Sequence, residues 1–204
     1  MQISPAEVAA ALARDRVVPI VRLADAAATE GIVEGLLEGG CSIVELTLNT
    51  PGALDALAAL ADRVPVLGAG TVLTAADAEA ALDAGADFLV TPALVPEVVE
   101  VATRRGAYCA CGAFTPTEVL GAWRAGASAV KWVPASLGGP RGLRELRAVF
   151  RDVPFLPTGG IDATNAREYL AAGAVAIGAG SALVSDGKGV AARARALLDA
   201  CRTS

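Results

Sequence analysis

The sequence predicts one eight-stranded parallel β/α barrel of TIM type with a short N-terminal helix, spanning residues 1–204 as a single domain. Three observations predict it. Eight apolar stretches of strand length alternate with helical patterns from end to end. The strand stretches are near-continuous apolar runs, as expected when both faces are covered. An Ala-Gly-Ala signature also recurs where the helical patterns stop, at a spacing of roughly forty to fifty residues, or two β/α units.

Strands are predicted at VVPIVRL (17–23), SIVELTL (42–48), VPVLGAGTV (64–72) and FLVTPA (88–93). Four more follow at AYCACGAF (107–114), AVKWVPA (129–135), PFLPTGG (154–160) and AVAIGAG (174–180). Helix starts are marked by Ser4-Pro5, by Pro51 after Asn49-Thr50, by Thr74, by Thr115-Pro116-Thr117-Glu118 and by Asp162. Helix stops are marked by Gly85, Gly126 and Gly173 in the Ala-Gly-Ala copies, and by the variant Gly39-Gly40. An open doubly wound sheet is the alternative, but GAG at 68–70 lacks the third glycine of a dinucleotide fingerprint.

Hydrophobic residues make up 54% of the chain and aromatics only 4%, so the core is expected to consist of Ala, Val and Leu. A net charge of −5 argues against nucleic acid, whose binding needs clustered Lys and Arg. No long apolar run lacks a charge or breaker, so no membrane span is expected. The start, MQISPAEVAAALARDR, reads as an amphipathic helix and not as a signal peptide. Histidine is absent, which removes the commonest metal ligand and general base, and no metal site is expected. Cys41, Cys109, Cys111 and Cys201 read as buried free thiols in a reducing cytoplasm.

Barrels of this type place functional residues at the C-terminal ends of strands. That rule selects Arg22, Glu45, Thr47, Asn49, Thr71, Thr91, Lys131, Gly159-Gly160 and Gly180-Ser181. Lys131 stands out. The chain has two lysines against fifteen arginines; Lys188 sits in a polar SDGKG stretch, whereas Lys131 interrupts an apolar strand. An unpaired ammonium there is costly, so a neutral nucleophilic amine becomes accessible. A lysine snorkelling to the barrel rim or locked in an ion pair is the structural alternative. Glu45, flanked by apolar residues, is the matching proton shuttle, or else a buried partner for Arg22. Strands seven and eight end in glycines, where bare backbone N–H groups can hold a phosphate and Ser181 adds a hydroxyl; tight turns alone would also account for them.

At these residues the sequence resembles the 2-keto-3-deoxy-6-phosphogluconate and 4-hydroxy-2-oxoglutarate aldolases. The likeness runs in order through VVPIVRL, VELTLNTP, VLGAGTVLT, FLVTPALVPEVV, GAFTPTEVLGAWRAGASAVKWVPA, LPTGGID and IGAGSAL. The resemblance implies a class I, metal-independent aldolase without cofactor that acts on a small keto acid as a cytoplasmic homotrimer. It implies Lys131 as the Schiff-base lysine and Glu45 as general acid/base. Thr71 matches a contact to the keto acid, and Gly160 and Ser181 match phosphate contacts. Pro92 and Trp132 are further substrate-binding candidates, and Trp132-Val133 departs from the aromatic residues that many relatives carry at both positions, which reshapes the wall around the pyruvate methyl group. The phosphogluconate enzymes usually carry Arg at the position of Asn49; Arg22 is the candidate to take over the substrate carboxylate, and Asn49 itself resembles the enzymes for the galactonate epimer. Expected is cleavage of 2-keto-3-deoxy-6-phosphogluconate to pyruvate and glyceraldehyde 3-phosphate, with the galactonate epimer or 4-hydroxy-2-oxoglutarate as alternative substrates. A phosphate-binding isomerase or epimerase barrel and a non-catalytic binding barrel are the more distant alternatives.

Overall fold

The computed structural model describes residues 3–24, 26–184 and 187–202; Met1 and Gln2 of the N-terminal stretch lie outside them. Helix α1 (Pro5–Asp15) begins with a capping box: the Ser4 hydroxyl accepts from the Glu7 N–H, and the Glu7 carboxylate accepts from the Ser4 N–H. Among the described residues seven strands follow: β1 (Val17–Val21), β2 (Ile43–Thr47), β3 (Val66–Gly70), β4 (Phe88–Val90), β5 (Tyr108–Ala113), β6 (Ala129–Trp132) and β7 (Ile177–Ala179). All pair in parallel, in the order β6-β5-β4-β3-β2-β1-β7.

The eighth stave is present but is not a regular strand. Segment 154–160 forms single bridges, Phe155 with Val130 and Thr158 with Gly178. Leu156 N–H donates to the Val130 carbonyl at 2.8 Å, Thr158 N–H to the Trp132 carbonyl at 2.9 Å, and Gly178 N–H to the Pro157 carbonyl at 2.9 Å. Pro154 and Pro157 have no N–H to give, which interrupts the ladder without opening the barrel. The predicted strands also run a few residues too long at their C-terminal ends, where the chain turns into the functional loops.

Helices cover the outside: α2 (Thr29–Glu38), α3 (Ala53–Leu60), α4 (Ala75–Asp83), α5 (Pro96–Arg105), α6 (Pro116–Arg124), α7 (Ala135–Val149), α8 (Ala166–Ala171), α9 (Ser181–Val184) and α10 (Val190–Arg202). Thr74 and Thr115 cap α4 and α6 through their hydroxyls, as their sequences predict. Two starts differ from expectation. Helix α3 opens after Gly52, which is left-handed at φ 69°, rather than at Pro51, and α8 opens after Asn165 rather than at Asp162, because a polar turn at Asp162–Thr164 occupies the intervening residues. Gly40, Gly85, Gly126 and Gly173 all take φ between 94° and 98°, the left-handed stop that the recurring signature predicts.

Alternation along the strands separates two apolar layers. Outward residues such as Val44, Leu67, Cys109, Val130 and Trp132 pack beneath the helices. Inward residues Val18, Ile43, Val66, Phe88, Tyr108, Ala129 and Leu156 fill the N-terminal half of the barrel, which Val8, Ala11 and Leu12 of α1 close like a plug. Two buried carboxylates hold this end. Asp15 accepts from the Ser42 N–H at 2.8 Å and hydroxyl at 2.7 Å, and Asp87 accepts from the Leu67 N–H at 2.9 Å. Among the described residues no helix is long and apolar enough to cross a membrane.

The plug contributes directly to stability. Leu12→Ala is expected to lower unfolding free energy by about 2–5 kcal/mol, as for other buried leucines, read as a lower denaturant midpoint at unchanged slope. A midpoint indistinguishable from wild type would show that α1 is not part of the cooperative unit.

Candidate active site

The C-terminal half of the barrel is hollow, and glycine makes it so. A methyl group at Gly68 would enter the Phe88 ring, one at Gly112 the backbone of Pro92 and Ala93, and one at Gly70 the Glu45 carboxylate. Inward positions that elsewhere carry Val or Phe are thus reduced to backbone, and two charged side chains occupy the space.

These are Lys131 on β6 and Glu45 on β2, which stand four staves apart on opposite walls. Lys131 Nζ donates to Glu45 Oε1 at 3.3 Å, with side-chain exposures of 5% and 0%. Glu45 therefore pairs with the lysine and not with Arg22. Its second oxygen, Oε2, is buried without a hydrogen-bond partner among the described residues, so half of the carboxylate is uncommitted.

Lys131 forms part of the wall of a cavity of about 710 Å³, together with Ile20, Arg22, Pro92, Val133, Thr158, Gly159, Gly160, Gly180 and Ser181. Arg22 follows β1 and donates from Nη2 to the Thr71 hydroxyl at 3.3 Å. Thr71 follows β3 with φ 58°, a left-handed conformation unusual for a β-branched residue. Gly159 and Gly160 end the closing stave with φ 105° and 71°, and Gly180-Ser181 lead into α9, whose first N–H groups have no intrahelical acceptor.

Two residues sit elsewhere than the sequence predicts. Asn49 lines a separate hollow of about 480 Å³ with Pro51, Asp55 and Asp77, outside the Lys131 cavity. Trp132 turns outward, because it neighbours an inward-facing lysine on the same strand; its indole N–H donates to the Phe114 carbonyl at 3.0 Å and its ring stacks on Phe114. Val133, one residue on, takes the place in the wall. Sequence reasoning missed Thr158 and Ile20, which could have been found by counting inward positions back from Gly160 and Arg22.

The remaining candidates for chemistry are inert. All four cysteines are buried free thiols, and burial pushes Cys41 up to about 12 and Cys109 higher still. Among the described residues no group of three or more His, Cys, Asp or Glu could hold a metal ion.

A family model described as KDPG and KHG aldolase covers residues 8–195. The chain belongs to the KDPG and KHG aldolase family. A probable 2-dehydro-3-deoxy-6-phosphogalactonate aldolase of Rhizobium meliloti is 38% identical over 162 residues, 78% of this chain and 76% of that protein. The crystal structure of a 4-hydroxy-2-oxoglutarate/2-dehydro-3-deoxyphosphogluconate aldolase from TTHB1 superposes with a TM-score of 0.84 at 41% identity, covering 97% of this chain and 98% of that one. The aldolase of Legionella pneumophila, solved with pyruvate captured as a covalent carbinolamine, superposes with a TM-score of 0.82 at 28% identity over 98% of each chain. The β/α barrel expected from the sequence is the fold these aldolases share.

Gly70 is the cheapest handle on the carboxylate. Gly70→Ala drives a methyl into Glu45 and displaces it from Lys131, an expected loss on the order of 10²-fold in kcat for a misplacement near 1 Å. Circular dichroism should show the fold retained; full activity in the variant would mean that the Glu45 position is unimportant.

Proposed function

We propose that this chain is a class I aldolase that cleaves 2-keto-3-deoxy-6-phosphogluconate to pyruvate and glyceraldehyde 3-phosphate without a metal. The observation that carries the reading is the buried Lys131–Glu45 pair at 3.3 Å, beside a cavity whose far rim is glycine-rich backbone. The carbinolamine of the Legionella relative supports the covalent route.

Each step uses a group in place. The Lys131 ammonium passes a proton to the Glu45 carboxylate, and the freed amine attacks the C2 ketone. Glu45 protonates the C2 oxygen and takes a proton from the nitrogen, which gives the carbinolamine and leaves Glu45 protonated. Glu45 then donates a proton to the departing hydroxyl, water leaves, and a protonated imine remains. The Glu45 carboxylate next accepts the C4 hydroxyl proton, directly or through a water. The C3–C4 bond breaks, its electron pair flows into the imine, and the aldehyde departs. The resulting enamine is reprotonated at C3, and water hydrolyses the imine to release pyruvate and restore the amine. The unpartnered Glu45 Oε2 suits this shuttling, since a carboxylate saturated with hydrogen bonds would have to break one at every transfer.

Arg22, held against Thr71, is the cation placed for the substrate carboxylate, with Thr71 beside it. Pro92 and Val133 supply an apolar wall for the pyruvate end. At the other end Gly159, Gly160, Gly180 and Ser181 receive the phosphate on backbone N–H groups and one hydroxyl. Asn49 and Trp132 contribute to the surroundings and not to contacts in this cavity. The likeness to the Rhizobium meliloti protein favours the galactonate epimer as the second reading, and steady-state kinetics on both phosphorylated epimers and on 4-hydroxy-2-oxoglutarate decide between them. The 204 residues act as one domain, as part of a cytoplasmic homotrimer.

Borohydride reduction in the presence of pyruvate is expected to place a three-carbon adduct on Lys131 and none on Lys188, by peptide mapping. Glu45→Gln should cut turnover by about 10²–10⁴ through loss of proton transfer while the adduct still forms slowly. An adduct on Lys188, or a fully active Gln variant, would refute this division of roles.

The phosphate end has its own test. Ser181→Ala removes one hydrogen bond to a charged group, worth about 1.5–3 kcal/mol, so kcat/KM for the phosphorylated substrate should fall about 10- to 150-fold. Activity on 4-hydroxy-2-oxoglutarate, which has no phosphate, should be unchanged. Equal losses on both would assign Ser181 to the barrel frame.

A further inference from the structure

Asn165 occupies the N-cap position of α8, yet its side chain makes no capping bond to the helix. An asparagine there ordinarily accepts from the second or third N–H of the first turn. Here the amide is turned back toward the loop. Its Oδ1 accepts from the Asp162 N–H at 3.0 Å, and its Nδ2 donates to the Gly160 carbonyl at 2.9 Å. The loop that follows the closing stave is thereby clasped at both ends by one side chain. Asp162 adds a tight turn beneath it, accepting from the Thr164 N–H at 2.8 Å and hydroxyl at 2.6 Å. Those two bonds hold the Asp162 carboxyl below its ordinary value and commit it to its own turn.

The held peptide matters. Among the described residues, the N–H groups of Gly159, Gly160 and Ile161 donate to no protein acceptor, and all three residues line the cavity. In a planar peptide the carbonyl and the following N–H point in opposite directions, so fixing the Gly160 carbonyl also fixes the direction of the Ile161 N–H. Gly160 cannot fix itself: at φ 71° and without a side chain it has more backbone freedom than any other residue type. We infer that Asn165 is a positioning residue for the phosphate end of the site, holding the Gly159–Ile161 donors in the orientation that receives the dianion. The inference rests on the assignment of this rim to phosphate made above.

The experiment compares Asn165→Asp and Asn165→Ala with Ser181→Ala on two substrates, 2-keto-3-deoxy-6-phosphogluconate and 4-hydroxy-2-oxoglutarate. Asn165→Asp keeps the acceptor for the Asp162 N–H but loses the donor to the Gly160 carbonyl; Asn165→Ala loses both without adding charge. Both are expected to lower kcat/KM for the phosphorylated substrate about tenfold, mainly through KM, and to leave the unphosphorylated one and the melting temperature unchanged. Competitive inhibition by inorganic phosphate should weaken in parallel. Equal losses on both substrates, or no loss on either, overturn the inference. If Ser181→Ala is selective for phosphate and the Asn165 variants are not, the positioning role fails while the phosphate site stands. If none of the three is selective, the phosphate assignment itself fails and the inference falls with it.

Discussion

The structure depends on an ion pair that crosses the barrel axis. Lys131 and Glu45 come from opposite walls, and both are withdrawn from water. Desolvating two charges is expensive, and a well-packed apolar pair at such a place is commonly as stable or more so. Stability is therefore a weak reason for this pair to exist. What the pair supplies is a basic nitrogen and a proton acceptor within hydrogen-bond reach of each other, shielded from bulk water, where either can act on a third atom brought between them. The glycines follow from the same need: Gly70 leaves room for the Glu45 carboxylate, and Gly112, the register partner of Lys131, lets the Pro92 loop approach.

Among the described residues three carboxylates are buried, and they show how differently the two halves of the barrel are built. Asp15 and Asp87, at the plugged end, are held by backbone N–H donors that tie the N-terminal segment and the strand starts together. Glu45, at the hollow end, has one oxygen on the lysine and the other unpartnered. The first two are structural because nothing is left for them to do. The third retains acceptor capacity in a place where leaving it unused is unfavourable, which suits the proton-shuttling role proposed for it.

Much of this was legible in the sequence, and the failures share a cause. Continuous apolar runs and left-handed glycine stops are local signals, so the β/α order and the helix ends at Gly85, Gly126 and Gly173 could be read from them. Lys131 and Glu45 were legible because a charge inside an apolar strand is locally anomalous. The pairing of Glu45 with Lys131 instead of Arg22 was not, since it depends on which walls face each other across 86 residues of chain. Trp132 was misplaced for a simpler reason: the alternation that sends Lys131 inward sends its neighbour outward, and the aromatic character of Trp132 drew attention away from that parity. Asn49 stands beyond the end of β2, where alternation no longer governs direction. Asn165 gave no sequence signal, because a helix-cap asparagine and a loop-clasping one read alike.

Thr71 completes the argument about where this fold accepts unfavourable geometry. A β-branched residue at φ 58° stores about 1–3 kcal/mol of backbone strain, and such a conformation persists only when its surroundings over-determine it. They do so here: the preceding residue's carbonyl accepts from the Leu48 N–H at 2.8 Å, and the following residue's N–H donates to the Val90 carbonyl at 3.2 Å, so both flanks are fixed to neighbouring staves. Glycine at this position would relieve the strain, and the chain uses glycine freely just before it, at Gly68 and Gly70. What glycine lacks is the hydroxyl that Arg22 holds at 3.3 Å. The strain is thus retained for a polar contact with Arg22, the cation proposed for the substrate carboxylate, and not for packing.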